Sequence, residues 1–347
     1  MRVEIYQRRL MEYRRDFFLE FSKRHGDVKV FVEELNEVGE EGIFEKISVR
    51  NVAGIKFWSL PGEQRDVIVI LPLDFRRPST MLHLLSRKTR TIIWGHGFGR
   101  SKLSVLARPV REAMAKFADA SIFYSQKGAK PFIRCLGRER CFVAGNTIVL
   151  PEYQPPSRRI RNRFLFFGDI RKEKGVNILI DAFQKVRCEL PLIHLDIVGD
   201  GPEKLKLQRY VVKEGLSGQI HFYPRTERPE DLKAFLDIAL ATVSPLHVGL
   251  SVVQSFWAHV PVITRYSDSH APEFEYCVNG ENSIVYSGGT SELSDCLLEV
   301  TKLDVNERLS QGARTYYQDN LSPENMFNGF QKAVDFVERR GATLRAP

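Results

Sequence analysis

Cysteine is scarce in this 347-residue sequence, and its five copies, Cys135, Cys141, Cys188, Cys277 and Cys296, are scattered and odd in number. No Cys-x-x-Cys pair occurs. That excludes a disulfide framework and a zinc site of the usual spacing, and it points to a reducing, cytoplasmic setting. No apolar run approaches the roughly 18 residues of a membrane-spanning helix. The start, Met1 to Arg9, lacks the apolar segment of a secretory leader. Neither Asp-x-Asp nor His-x-x-x-His occurs, so no metal-held diphosphate, and no cofactor of the protein's own, is expected. Internal repeats and low-complexity tracts are absent as well.

Acidic residues are missing from one long stretch. Between Arg76 and Arg140 there are fifteen basic residues and only three acids, Glu112, Asp119 and Glu139, within a chain of net charge +8. Such a field attracts anionic lipid, phosphorylated substrates or nucleic acid. Its alternative is a solvated basic surface with no partner.

What is present is an alternation of elements. The length suggests two domains of roughly 150 residues. Arg2 to Tyr6 reads as a strand and Arg8 to Arg24 as a helix, with Leu10, Tyr13, Phe17 and Phe21 on its apolar side and Arg9, Arg14, Arg15 and Lys23 elsewhere. Strands follow at 27–32, 42–49, 66–71, 91–94, 121–124 and 140–143, with helices at 79–88, 103–117 and 126–135. A proline- and arginine-rich segment, 151–163, reads as a linker. A second series then runs from Phe164 to Tyr286, including a helix at 176–186 and strands at 220–223 and 283–286, and helices close the chain. This pattern predicts an α/β protein of two open parallel sheets with a cleft between the blocks, ligands binding at the carboxyl ends of the strands. The expected domains are 1–156, 157–322 and a last helix, 323–347, crossing back to the first.

The chain is organised around Val243 to Ile263. Ser244-Pro245 ends a buried strand, Gly249 offers a backbone without a Cβ, and a helix begins near Leu250 and Ser251. Val252, Val253, Phe256 and Trp257 share one face of it; Ser251, Gln254 and Ser255 share another. A helix start after a glycine-containing loop favours an anion. Upstream, Arg171 and Lys174 lie three residues apart in Gly168-Asp-Ile-Arg171-Lys-Glu-Lys174-Gly175, where a strand passes into a helix, and suit a diphosphate. His96 stands between two glycines at the end of a buried strand.

Taken in order, Gly-x-Ile-Arg-x-x-Lys-Gly, Ile-Val-Gly-Asp-Gly-Pro, Ser-Pro-Leu-His-Val-Gly-Leu and Val-Pro-Val-Ile resemble glycosyltransferase family 4, the retaining, sugar-nucleotide-dependent transferases of GT-B fold. The likeness is strongest from Phe164 to about Tyr286. It implies that Arg171, Lys174 and the amides after Gly249 hold a donor diphosphate, and that His96 faces the donor sugar. It implies donor contacts from Gly168, His247, Gly249, Leu250, Ser251 and Gln254, and from Glu273 in His270-Ala-Pro-Glu273. The acceptor would be a glycan or lipid-linked acceptor in cell-surface polysaccharide synthesis, with the protein peripheral to an anionic membrane surface. One departure stands out. The family's two glutamates are replaced by Leu246 and Gln254. An apolar wall at Leu246 suits a deoxysugar, and it also opens the alternative of a catalytically silent homologue that binds glycan or a partner transferase. A DNA-modifying transferase is a further alternative, resting on charge alone.

Overall fold

A computed structural model describes residues 1–35, 42–64, 66–74, 76–97, 107–157, 160–226, 228–267 and 270–343. The contacts divide the chain into two units, one made of Met1–Val149 with the C-terminal helix Pro323–Thr343, the other of Leu150–Ser322.

The first unit's strands are β1 (Arg2–Arg9), β2 (Val28–Glu34), β3 (Phe44–Lys46), the antiparallel pair β4 (Val49–Val52) and β5 (Ile55–Trp58), β6 (Val67–Pro72), β7 (Arg90–Gly95), β8 (Ala120–Phe123) and β9 (Cys141–Val143). The central ones, β6 to β8, are apolar runs, the pattern of strands buried on both faces. Seven of them form a parallel sheet in the order β3-β2-β1-β6-β7-β8-β9. The order reverses between β1 and β6, so the loops after those two strands splay apart and open a crevice. On one face, Phe17, Phe18 and Phe21 of the helix Glu12–His25 meet Phe327 and Phe330 of the C-terminal helix over Val3, Ile5, Ile68 and Trp94. Gly329 lets that helix approach closely: a Cβ there would lie 2.8 Å from Ala144 Cβ.

Three expectations change here. Arg8 and Arg9 extend β1, and the first helix starts only at Glu12. Arg14 is on the buried side of that helix, not the polar one. The predicted helix from Leu103 is seen from Arg108 to Phe117; residues 103–106 and 98–100 lie outside the described residues. The acidic segment Glu33 to Glu41, expected as a loop, begins inside β2, which runs to Glu34, and its residues 36–41 lie outside the described residues.

The second unit is a six-stranded parallel sheet in the order β12-β11-β10-β13-β14-β15. Its strands are β10 (Arg163–Phe167), β11 (His194–Val198), β12 (Ile220–Tyr223), β13 (Ala239–Ser244), β14 (Val262–Arg265) and β15 (Ser283–Tyr286). The helices Val176–Val186, Lys204–Lys213 and Thr290–Glu299 contribute to one core with Phe164, Phe166, Leu195 and Ile197. Here the order reverses between β10 and β13. The loops that follow those two strands carry most of the residues singled out above. The helix Ser251–Trp257 differs from its expected polar face: Gln254 and Ser255 are buried, and Ser255 Oγ lies 2.8 Å from Thr242 Oγ1 on β13 while donating to Ser251 O.

Candidate functional site

At the switch point of the second sheet, the loop after β10 passes over the loop after β11. Gly168 adopts φ 132°, and Gly199 and Gly201 bring their backbones against the carbonyls of Gly168 and Ile170, where no Cβ fits. A single turn, Lys172–Lys174, then leads into Gly175 at φ 69°, the left-handed geometry that glycine adopts without penalty before the helix Val176–Val186.

This turn separates the two predicted cations. Lys174 is half-buried and donates from Nζ to the carbonyl oxygen of His247 at 2.9 Å, with Nζ 3.4 Å from His247 Nδ1. A lysine ammonium can only donate, so Nδ1 is the acceptor and the ring proton sits on Nε2. Burial, and then the charge of Arg171, pull the Lys174 amine below the usual lysine range. Burial and the Lys174 charge likewise lower His247, which stays neutral at physiological pH. Arg171 is exposed, with Glu173 4.0 Å away. Glu273, in the turn Pro272–Tyr276, is buried, and its charge acts on Lys174. The structure therefore gathers Lys174, His247 and Glu273, with Arg171 at the exposed edge.

Gly249 is followed by the first turn of Ser251–Trp257, whose first bond runs from Val252 N–H to Gly249 O. The amides of Gly249, Leu250 and Ser251 precede that bond, as helix-start amides do. A Cβ at Gly249 would meet open space. Gln254, one turn on, is only 8% exposed. Leu246 turns toward Gly175: a Cβ on that glycine would lie 2.7 Å from Leu246 Cγ.

Two residues of this site were not singled out from sequence. Arg225 pairs with Asp169 beside the turn and holds that carboxyl below its ordinary range. His270 accepts from Val248 N–H at 2.9 Å through Nδ1 and donates from Nε2 to Arg265 O at 2.6 Å, pinning the loop that carries His247. The segment His270-Ala-Pro-Glu273 was visible, but a histidine bridging two backbones leaves no spacing signal.

His96 belongs to the first unit, just past β7. Its ring is solvent-exposed on one side and packs on Tyr124, with centroids 4.3 Å apart. Desolvation by the surrounding protein, then the charges of Arg14 and Arg111, lower it to about 4. The imidazole is therefore neutral at physiological pH. Among the described residues, no group of three His, Cys, Asp or Glu is placed to hold a metal ion, and no helix is long and apolar enough to cross a membrane.

Residues 154–315 match the family model for Glycosyl transferases group 1. The chain is 26% identical over 185 residues to O-antigen chain mannosyltransferase C of Escherichia coli, covering 48% of this chain and 47% of that protein. It is 34% identical over 106 residues to D-rhamnosyltransferase WbpZ of Pseudomonas aeruginosa, covering 29% and 26%. The chain thus spans about half the length, or less, of the curated relatives it matches. In solved structures it is similar to Anabaena Alr3699/HepE, determined in complex with UDP, at a TM-score of 0.69 and 14% identity, covering 96% of this chain and 100% of that one. Two parallel-sheet α/β units with these neighbours are the GT-B fold of glycosyltransferases, and the group 1 signature lies on the second of them.

Proposed function

We propose that this chain is a retaining glycosyltransferase that moves a sugar from a nucleoside diphosphate donor to a glycan or lipid-linked acceptor in surface polysaccharide synthesis. The observation that carries the reading is the half-buried Lys174 on His247 at the switch point of the second sheet, inside the group 1 match. The donor diphosphate lies against Lys174, Arg171 and the amides from Gly249 to Ser251. As the bond from the sugar to the diphosphate breaks, negative charge grows on the leaving phosphate, and preorganised cations are worth most there. The acceptor oxygen bonds to the same face of the sugar, and its proton passes to the leaving phosphate. Glu273, beside Lys174, completes the donor pocket, and Gln254 supplies an acceptor oxygen for the nucleotide ribose. His247 Nε2–H is a neutral donor toward the sugar. The UDP bound to Alr3699/HepE supports a nucleoside diphosphate donor. The setting is cytoplasmic, with peripheral attachment to an anionic membrane.

The donor sugar is read from Leu246. Where relatives have a carboxylate, this side chain cannot accept a hydroxyl bond, a mismatch of about 1–3 kcal/mol. Against a sugar methyl it contributes roughly 1 kcal/mol. A deoxysugar donor follows, and the similarity to D-rhamnosyltransferase WbpZ supports it. The test compares kcat/KM for deoxy and fully hydroxylated sugars on one nucleotide, reading free nucleoside diphosphate. Preference for the hydroxylated sugar removes the deoxysugar assignment. No turnover across a full donor panel favours the second reading, a silent homologue, which Leu246 and Gln254 in place of the family's glutamates would explain.

A further inference from the structure

Arg14 is buried, at 8% exposure, where the loop after β1 turns into the first helix, beside the switch point of the first sheet. Its guanidinium lies 4.4 Å over the Trp94 ring. Its hydrogen bonds go to neutral oxygens: Tyr124 Oη at 2.6 Å, Asn146 Oδ1 at 3.3 Å and Tyr13 Oη at 3.1 Å. No carboxylate pairs with it among the described residues, and Nη1 has no hydrogen-bond partner there, yet that nitrogen is not sealed from solvent. A buried charge without a counter-charge is costly unless something neutralises it.

A second cation lies nearby. The charges of Arg14 and Arg111 both act on the His96 ring. Asp74, whose charge acts on Arg111, also accepts from Arg76 Nε and Nη2 at 2.8 Å each. Arg14 and Arg111 thus stand near the carboxyl ends of the strands, where open α/β sheets take their ligands.

We propose that this corner of the first unit binds an anionic group, phosphate or carboxylate, carried by the acceptor, with Arg14 and Arg111 as its cations and His96 and Tyr124 as its wall. The assignment to an acceptor rests on the transferase reading above; anion binding does not. A phosphate would come from a lipid-linked or phosphorylated glycan, a carboxylate from an acidic sugar.

The experiment uses the full chain carrying Arg171→Ala and Lys174→Ala, so that the donor site does not compete. Histidine-selective NMR follows the His96 signal, assigned by loss in His96→Gln, during titration with inorganic phosphate and, separately, D-glucuronate, against chloride at constant ionic strength. A saturable millimolar response to at least one probe is expected, weakened tenfold or more by Arg14→Gln with the melting curve unchanged. If Arg14→Gln does not fold, Arg111→Gln carries the test, with a weakening of threefold or more. Response to phosphate alone assigns a phosphate-bearing acceptor, and to glucuronate alone an acidic sugar. No saturable response to either probe, or unchanged affinity in the variants, overturns the proposal. An intact response, together with a wild-type chain that turns over no donor across the panel, would sink the transferase reading and leave the anion site standing.

Discussion

Lys174→Gln isolates the charge at the proposed leaving-group site. The wild-type amine is held by a charge-assisted bond of 2.9 Å to His247 O and a longer one of 3.4 Å to His247 Nδ1, and its neighbour Arg171 repels it. Glutamine retains a donor for that carbonyl and removes the charge. Folding should change little, because a lost bond to a charged group, worth about 1.5–3 kcal/mol, is offset by relief of desolvation and of repulsion from Arg171. Catalysis should change much. Removing one preorganised donor to developing negative charge costs about 10²–10³ in kcat, or roughly 2.7–4 kcal/mol. Lys174→Ala should match it in kcat while losing more stability. The assay is release of nucleoside diphosphate under saturating donor, with melting curves on the same preparations. Turnover of Lys174→Gln within about threefold of wild type, with the fold intact, would refute the argument that charge at this position stabilises the leaving phosphate.

The remaining expectations read other parts of the chain. Glu33, whose side chain is 4% exposed, receives Trp58 Nε1 at 2.7 Å, Arg77 Nη2 at 2.8 Å and Lys56 Nζ at 3.0 Å. Glu33→Ala leaves those donors unpaired and should cost about 3 kcal/mol, a drop of roughly 6–12 °C by calorimetry; a shift under about 1 °C contradicts it. His96 has its pKa lowered from 6.5 to about 4 in the folded chain. Between those values the unfolded chain binds the extra proton, so this contribution to stability is full above pH 6.5 and is lost as pH falls toward 4. In His96→Gln that part of the acid sensitivity should vanish from chemical denaturation curves taken across the window. Finally, Leu82 and Leu85 are 58% and 50% exposed on the helix Pro78–Ser86, within the basic stretch. The chain should sediment with anionic vesicles at low salt and be released at high salt, and Leu82→Ser with Leu85→Ser should weaken this; indifference of the wild type to anionic vesicles rules the surface out.

Much of the second unit was legible because its strands are apolar runs bounded by glycine, and its helices carry a 3.6-residue period. Ile220–Tyr223, Ser283–Tyr286 and Val176–Val186 have the limits the sequence predicts. The β4–β5 hairpin was not legible, since seven of its eight strand residues are at least partly exposed and no face alternates. Arg14 was hidden for a different reason. With Phe17, Phe18 and Phe21 it forms an i, i+3, i+4, i+7 stripe, so its position was readable. Its charge argued for solvent, and the partners that make burial tolerable, Tyr124 and Asn146, are 110 and 132 residues away. Periodicity sees neighbours on one helix; it does not see strand ends brought together by a parallel sheet.

The same limit governs Leu246. In sequence it is a leucine where the family that the chain resembles usually has a glutamate, which reads as loss of a sugar contact. In the structure part of that side chain is used up on Gly175, whose φ of 69° and missing Cβ leave room for it. A glutamate at this position would have to leave Gly175 uncovered or bring its carboxylate over the start of the helix Val176–Val186, where the dipole favours it. The leucine instead presents hydrocarbon on both sides, to the helix start and to the pocket. Its remaining exposed surface is therefore apolar in every rotamer, whereas a carboxylate would show polar or apolar surface depending on how it turned. On the proposed function, Leu246 would therefore constrain the donor sugar more tightly than the mere loss of a hydrogen bond: its position is fixed by packing against a glycine that accepts no larger side chain without displacing it.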